Sequence, residues 1–156
     1  MRKKIIIGIL VLVGLFVITG CGNSSNENQL TKDGKAKIEF VDLMYKEPTN
    51  FVKKEPIDVV DGMKTLTYRL DNTDENININ MHYAKGKSYN YIIDKSDKYT
   101  EKEINGITWR FMHIDDFGIE CDLYFVVYNN DLYQIELNGI DKKPDMSSFM
   151  DEVSFK

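Results

Sequence analysis

Polar and apolar residues alternate with a period of two along much of the chain, as in strands with one covered face. The plainest case is Ile77-Asn78-Ile79-Asn80-Met81-His82-Tyr83. Ile77, Ile79, Met81 and Tyr83 fall on one side, and Asn78, Asn80 and His82 on the other. Leu66, Tyr68 and Leu70 share a face in the preceding run, with Thr65, Thr67 and Arg69 opposite. A first strand is read over 37–43, and the proline- and lysine-bearing stretch 45–56 is read as irregular.

Turn chemistry divides the rest. Asp61-Gly62 joins a strand over 57–60 to one over 63–70. Asn105-Gly106 joins 100–104 to 107–113, and Asn129-Asn130-Asp131 joins 119–128 to 132–137. Asn-Gly is the favoured two-residue hairpin turn because both positions need positive φ. The alternation breaks twice. Over 87–95, Tyr89, Ile92 and Ile93 recur at helical spacing after Ser88, which can cap. Over 144–153, Met146, Phe149, Met150 and Val153 form one stripe behind Pro144 and Asp145, residues suited to a helix start. The fold class expected is therefore α+β, an antiparallel sheet flanked by short helices.

The N-terminus follows a different rule. Arg2, Lys3 and Lys4 precede an uninterrupted apolar run from Ile5 to Ile18. That run is shorter than the roughly 20 residues a transmembrane helix needs, and its order is that of a secretory signal peptide. It ends in Val17-Ile18-Thr19-Gly20-Cys21. This stretch resembles the lipobox of bacterial lipoproteins. The resemblance implies a diacylglyceryl group on the Cys21 sulfur, cleavage after Gly20, and residence at the extracytoplasmic face of the cell membrane. Two acyl chains suffice for stable anchoring. The expected organisation is a signal peptide over 1–20, a lipidated cysteine and polar flexible linker over 21–36, and one globular domain over 37–156.

Composition narrows the partners. Without its first 20 residues the chain carries 17 basic and 25 acidic residues, a formal charge of −8. That argues against nucleic acid, which demands basic patches. With Cys21 committed to lipid, Cys121 has no partner in the chain. It alternates with Ile119, Leu123 and Phe125, so it is read as a small buried residue with an inert thiol. Neighbouring Glu120 and Asp122 would raise its pKa.

The domain also resembles the Mog1/PsbP-like α/β/α sandwich. The matching features are Pro48 in an early extended segment, the turn from Asn105 to Trp109, and an ending over Phe149 to Phe155. An α/β/α layering is what this resemblance implies. The fold hosts unrelated binding roles and names no activity.

Catalytic and metal signatures are missing. Neither histidine sits in HExxH or HxH, no G-x-S-x-G occurs, and no phosphate-binding glycine pattern is present. His82 reads as a sheet-face residue and His113 as a core-edge one. The acidic loop 71–76 lacks the glycine and the twelfth-position carboxylate of a calcium hand. No metal and no cofactor is expected. The alternation sets Arg69, Asn78, Asn80, His82, Arg110, Tyr124 and Tyr128 on the face opposite the core. Tyrosine and arginine among hydrogen-bonding groups are typical of recognition surfaces. The leading expectation is thus a non-enzymatic binding module for a protein or cell-envelope component. The alternatives are a small-ligand domain, with an apolar cavity behind Trp109, and a weak hydrolase. The hydrolase would draw its acids from Asp115, Asp116, Glu120 and Asp122.

Overall fold

The computed structural model describes residues 30–59, 62–71, 77–91, 98–116, 119–140, 146 and 148–156. The signal and lipobox region and the loop 72–76 lie outside them. So do most of the residues that open the second expected helix.

The described residues form eleven strands: β1 (Ile38–Phe40), β2 (Leu43–Tyr45), β3 (Phe51–Lys53), β4 (Ile57–Val59), β5 (Met63–Leu70), β6 (Asn78–Ala84), β7 (Thr100–Ile104), β8 (Ile107–Asp116), β9 (Ile119–Tyr128), β10 (Asp131–Asn138) and β11 (Ser154–Phe155). Eight of them make one antiparallel sheet in the order β3-β5-β6-β10-β9-β8-β7, with β4 also pairing β5. The remaining three make a small sheet in the order β1-β2-β11.

The expected α+β class is therefore corrected: the described fold is mostly β, and its helical content is short, 3₁₀ turns and Met146 in α-helical conformation. Of the stretch 87–95, only Tyr89–Tyr91 is such a turn, and residues 92–97 lie outside the described set. Of 144–153, the described part holds Phe149–Glu152, closed by bonds from Asp151 N to Ser148 O and Val153 N to Met150 O. Those i to i+3 bonds make a tighter coil than an α-helix, sustainable only over a few residues. The apolar stripe itself is real, since Met146, Phe149, Met150 and Val153 are all buried. Burial fixes its spacing, and the chain leaves through Val153 in extended conformation straight into β11. The helical layers implied by an α/β/α sandwich do not occur among the described residues.

A core forms between the two sheets. The large sheet contributes Leu66, Tyr68 and Leu70, then Ile79, Met81 and Tyr83, then Tyr133, Ile135 and Leu137, then Tyr124 and Val126, and Trp109. The cover contributes Phe40, Leu43, Tyr45, Phe149, Met150, Val153 and Phe155. Phe155 is the central plug: its ring stacks on Tyr128 at 4.0 Å, meets Tyr133 edge-on at 4.9 Å and lies 6.2 Å from Trp109. The Tyr45 and Tyr68 hydroxyls, one from each sheet, bond to each other at 3.0 Å.

Two departures from the expected boundaries follow from packing. The strand read over 37–43 folds back on itself at Val41 and Asp42, with Phe40 paired to Leu43. Val41 takes φ 60, a left-handed conformation that costs a β-branched residue, so Asp42 is the one local sign of this turn. The linker read over 21–36 ends earlier. Leu30 pairs with Ala36, Thr31 is buried, and Lys32 N donates to Glu152.

The β7–β8 turn does more than reverse the chain. Asn105 takes φ 54 and Gly106 φ 73, as expected of this dipeptide. The Asn105 amide also donates to the carbonyls of Met150, Asp151 and Val153, at 3.4, 3.0 and 2.8 Å. It ties the hairpin to the end of the 3₁₀ turn, whose carbonyls need partners. Asn105→Gly keeps the positive φ and removes the amide. It should cost roughly 1–2 kcal/mol in urea melts, and an unchanged midpoint would show that these bonds are idle.

Candidate functional site

The seven residues expected on one surface separate. Arg69, Asn78, Asn80, His82 and Arg110 stand on the outer face of the large sheet, away from the small one. Tyr124 and Tyr128 stand on the inner face. Tyr124 is buried against Phe111 at 5.0 Å and edge-on to Trp109 at 6.4 Å. Tyr128 stacks on Phe155 and donates to Lys156 O at 2.8 Å. Strand β9 is out of phase with the expectation by one residue. Leu123-Tyr124-Phe125-Val126-Val127-Tyr128 is continuously apolar, so alternation cannot set its phase. Such a run is the mark of a strand covered on both faces.

The outer face is covered in part. Phe125, Leu132 and Gln134 are buried there. The turn Tyr89–Tyr91 packs on β9: the Val127 amide donates to Tyr89 Oη at 3.3 Å. The Arg110 guanidinium lies over the rings of Tyr89 and Tyr99, at 3.7 and 4.4 Å. Cys121 is buried on this same face, across from Asn138 and Ile114. Burial, and then the charges of Glu136 and Asp122, push its thiol up to about 12.

Beside this apolar half runs a hydrogen-bonded ladder. Register places Thr65, His82 and Gln134 in one row across β5, β6 and β10, and Thr67, Asn80 and Glu136 in the next. Thr67 donates to Asn80 Oδ1 at 2.9 Å, and Asn80 Nδ2 to Glu136 Oε2 at 3.0 Å. The Gln134 amide also donates to Glu136. Asn138 donates to Asn78 at 2.7 Å. Thr65 Oγ1 lies 3.0 Å from His82 Nδ1, and His82 Nε2 lies 3.5 Å from Glu136 Oε1, short of a hydrogen bond. Burial would raise the Glu136 pKa, but the His82 ring and the Asn80 amide outweigh it and hold the carboxyl below its ordinary 4.5. The ladder spends its donors on its own acceptors, so it reads as a sheet-face network rather than a poised reaction centre.

Of the expected acid set, Asp122 faces the inner side at the sheet's end and meets His113 Nδ1 at 2.7 Å. Asp115 and Glu120 are register partners in the next row of the same face. Among the described residues no group of three or more histidines, cysteines or acids could hold a metal. Trp109 is fully buried among aromatic rings and lines neither recess described below; its indole N–H has no hydrogen-bond partner among the described residues.

What the sequence did not indicate is a groove between the small sheet and the β3–β6 end of the large one. An inner recess of about 250 Å³ has an apolar floor of Pro48, Phe51, Ile79, Met146 and Phe149. Its rim carries Lys32 and Lys46 against Glu47, Asp151 and Glu152. An outer recess of about 520 Å³ shares Lys46, Glu47, Pro48, Thr49 and Phe51 and continues past Lys35 to Thr31. Lys46 pairs with Asp33 at 3.1 Å, and Lys32 approaches Asp151 at 3.8 Å. These exposed pairs contribute little stability and can open to a ligand. Pro48 and the lysines around it were the only trace of the groove in the sequence.

The ladder makes a pH prediction. A depressed carboxyl adds stability that is full above 4.5 and is lost as pH falls through its folded value. Urea melts taken downward from neutral pH should show this acid-limb loss, and Glu136→Gln should flatten it while lowering stability at neutral pH. An identical acid limb in that variant would refute the assignment. In the same melts Asn80→Ala should cost about 1–2 kcal/mol, since it strips a donor from a carboxylate. Ile79→Ala should cost roughly 2–4 kcal/mol, as a core truncation.

Set against family models, curated proteins and solved structures, the chain finds no match in any of the three.

Proposed function

We propose that the protein is a membrane-anchored extracytoplasmic binding module. It is held by lipid on Cys21 and engages a cell-envelope component in the groove beside Pro48. The anchor rests on the basic tip, the apolar run and Val17 to Cys21. One observation carries the choice of groove: it combines an apolar floor with a charged rim in an open concavity, the usual make-up of a binding site. The outer polar ladder is closed on itself by contrast, and the tyrosines once grouped with it belong to the core.

Two variants test the two halves. Cys21→Ser should abolish lipid labelling in cells and leave the precursor uncleaved; normal labelling would remove the anchor from the reading. Thr49 is exposed on the rim of both recesses, so Thr49→Trp should fill the groove without touching the core. Wild-type protein incubated with envelope extract should carry a component, seen by mass spectrometry, that Thr49→Trp fails to carry at equal thermal stability. Equal recovery on both would move the site elsewhere.

A further inference from the structure

The groove opens where the chain comes off its anchor. The outer recess is lined by Thr31, Lys35, Ala36 and Ile38, the first residues of the folded domain. Eight residues, Gly22–Gln29, separate Cys21 from Leu30. Whatever their conformation, they reach about 30 Å at most. An anchored Cys21 therefore keeps the mouth of the groove within a short distance of the bilayer surface. Leu30 exposes 47% of its surface at that same pole.

The lining selects among ligands. Ammonium groups of Lys32, Lys35 and Lys46 stand with carboxylates of Asp33, Glu47, Asp151 and Glu152, so both signs line the groove and negative charge exceeds positive by one. A purely anionic ligand would meet four repelling groups against three attracting ones. A neutral apolar one would strand the charged rim without water, which is costly. A head with both charges, followed by an apolar chain, satisfies rim and floor together.

We propose that the groove takes a zwitterionic phospholipid from the membrane to which the protein is tethered. This rests on the anchor and groove readings above and names their ligand. The phosphate faces Lys32 and Lys46, the ammonium faces Glu47 and Glu152, and the first methylenes of one acyl chain lie on Phe51 and Phe149. The tether turns capture into an intramolecular event at high effective concentration, so weak intrinsic affinity is enough.

The test uses the full mature lipoprotein in nanodiscs of phosphatidylethanolamine and phosphatidylcholine. A fraction of the lipid carries a spin label high on one acyl chain. Amide signals of Phe51 and Phe149 should lose most of their height. That of Gly86 should keep far more of it, because Gly86 lies in the turn after Ala84, the far end of the same strand from Ile79, about 17 Å away along the strand. Thr49→Trp should restore the groove signals while its spectrum stays dispersed and the protein stays on the disc. Discs of phosphatidylglycerol alone should give no loss at Phe51. Intact signals on a disc-bound wild type would overturn the ligand while leaving the anchor standing. Equal loss in phosphatidylglycerol would overturn the zwitterion. Failure to remain with the disc at all would overturn the anchor, and this inference with it.

Discussion

The structure depends on covering one apolar face. The large sheet presents rows of leucine, isoleucine, methionine, tyrosine and tryptophan on its inner side, and among the described residues three short strands, a 3₁₀ turn and Met146 lie over them. Burial of that face supplies the main folding free energy, at about 25 cal/mol per Å² of apolar surface. Phe155 is the closing piece. It sits among Trp109, Tyr128 and Tyr133 and is held in register by the pairing of β11 with β2. Lys156 locks the end by donating its amide to Asp42 O. The C-terminal strand has two residues, so its hold comes from the ring it inserts rather than from its hydrogen bonds.

Among the described residues a cover this small leaves one end of the large sheet without a close lid. That end lies around Phe51 and Ile79, where the loop after β2 turns away through Pro48. The groove is thus a by-product of how the sheet is capped. The same economy brings Thr31 and Lys32 to its mouth, because the chain enters the small sheet there. Core architecture and candidate site are one construction, and the position of the tether follows from it.

The outer face shows the opposite arrangement. A strand interior that must be half wet on β5, β6 and β10 meets one that is fully apolar on β9. The polar half is settled by a ladder around Glu136, and the apolar half is shielded by Tyr89 with the Arg110 guanidinium held over its ring. A buried carboxylate keeps its charge only with such donors about it. The result is a face with few unused hydrogen-bonding groups, which is why it is the weaker candidate for recognition.

Local signals in the chain determined a good deal. Asn105-Gly106, Asn129-Asn130 and Gly62 set three hairpin turns, because positive φ is cheap only for such residues. Strict alternation gave β5 and β6 their correct faces. Cys121 could be read as buried, though not on which side. Tertiary structure decided the rest. The stripe of Met146, Phe149, Met150 and Val153 fits a helix and a tight turn leading into a strand equally well; among the described residues Met146 is helical, and Phe149–Glu152 is a 3₁₀ turn leading into β11. The phase of β9 was undecidable from Leu123 to Tyr128, since both faces are apolar and only pairing with β8 and β10 assigns them. Val41 turns although it is a β-branched residue, because Phe40 and Leu43 both reach the core only if it does. The groove needs residues from 31 to 152 brought together, a separation across which period and propensity carry no information.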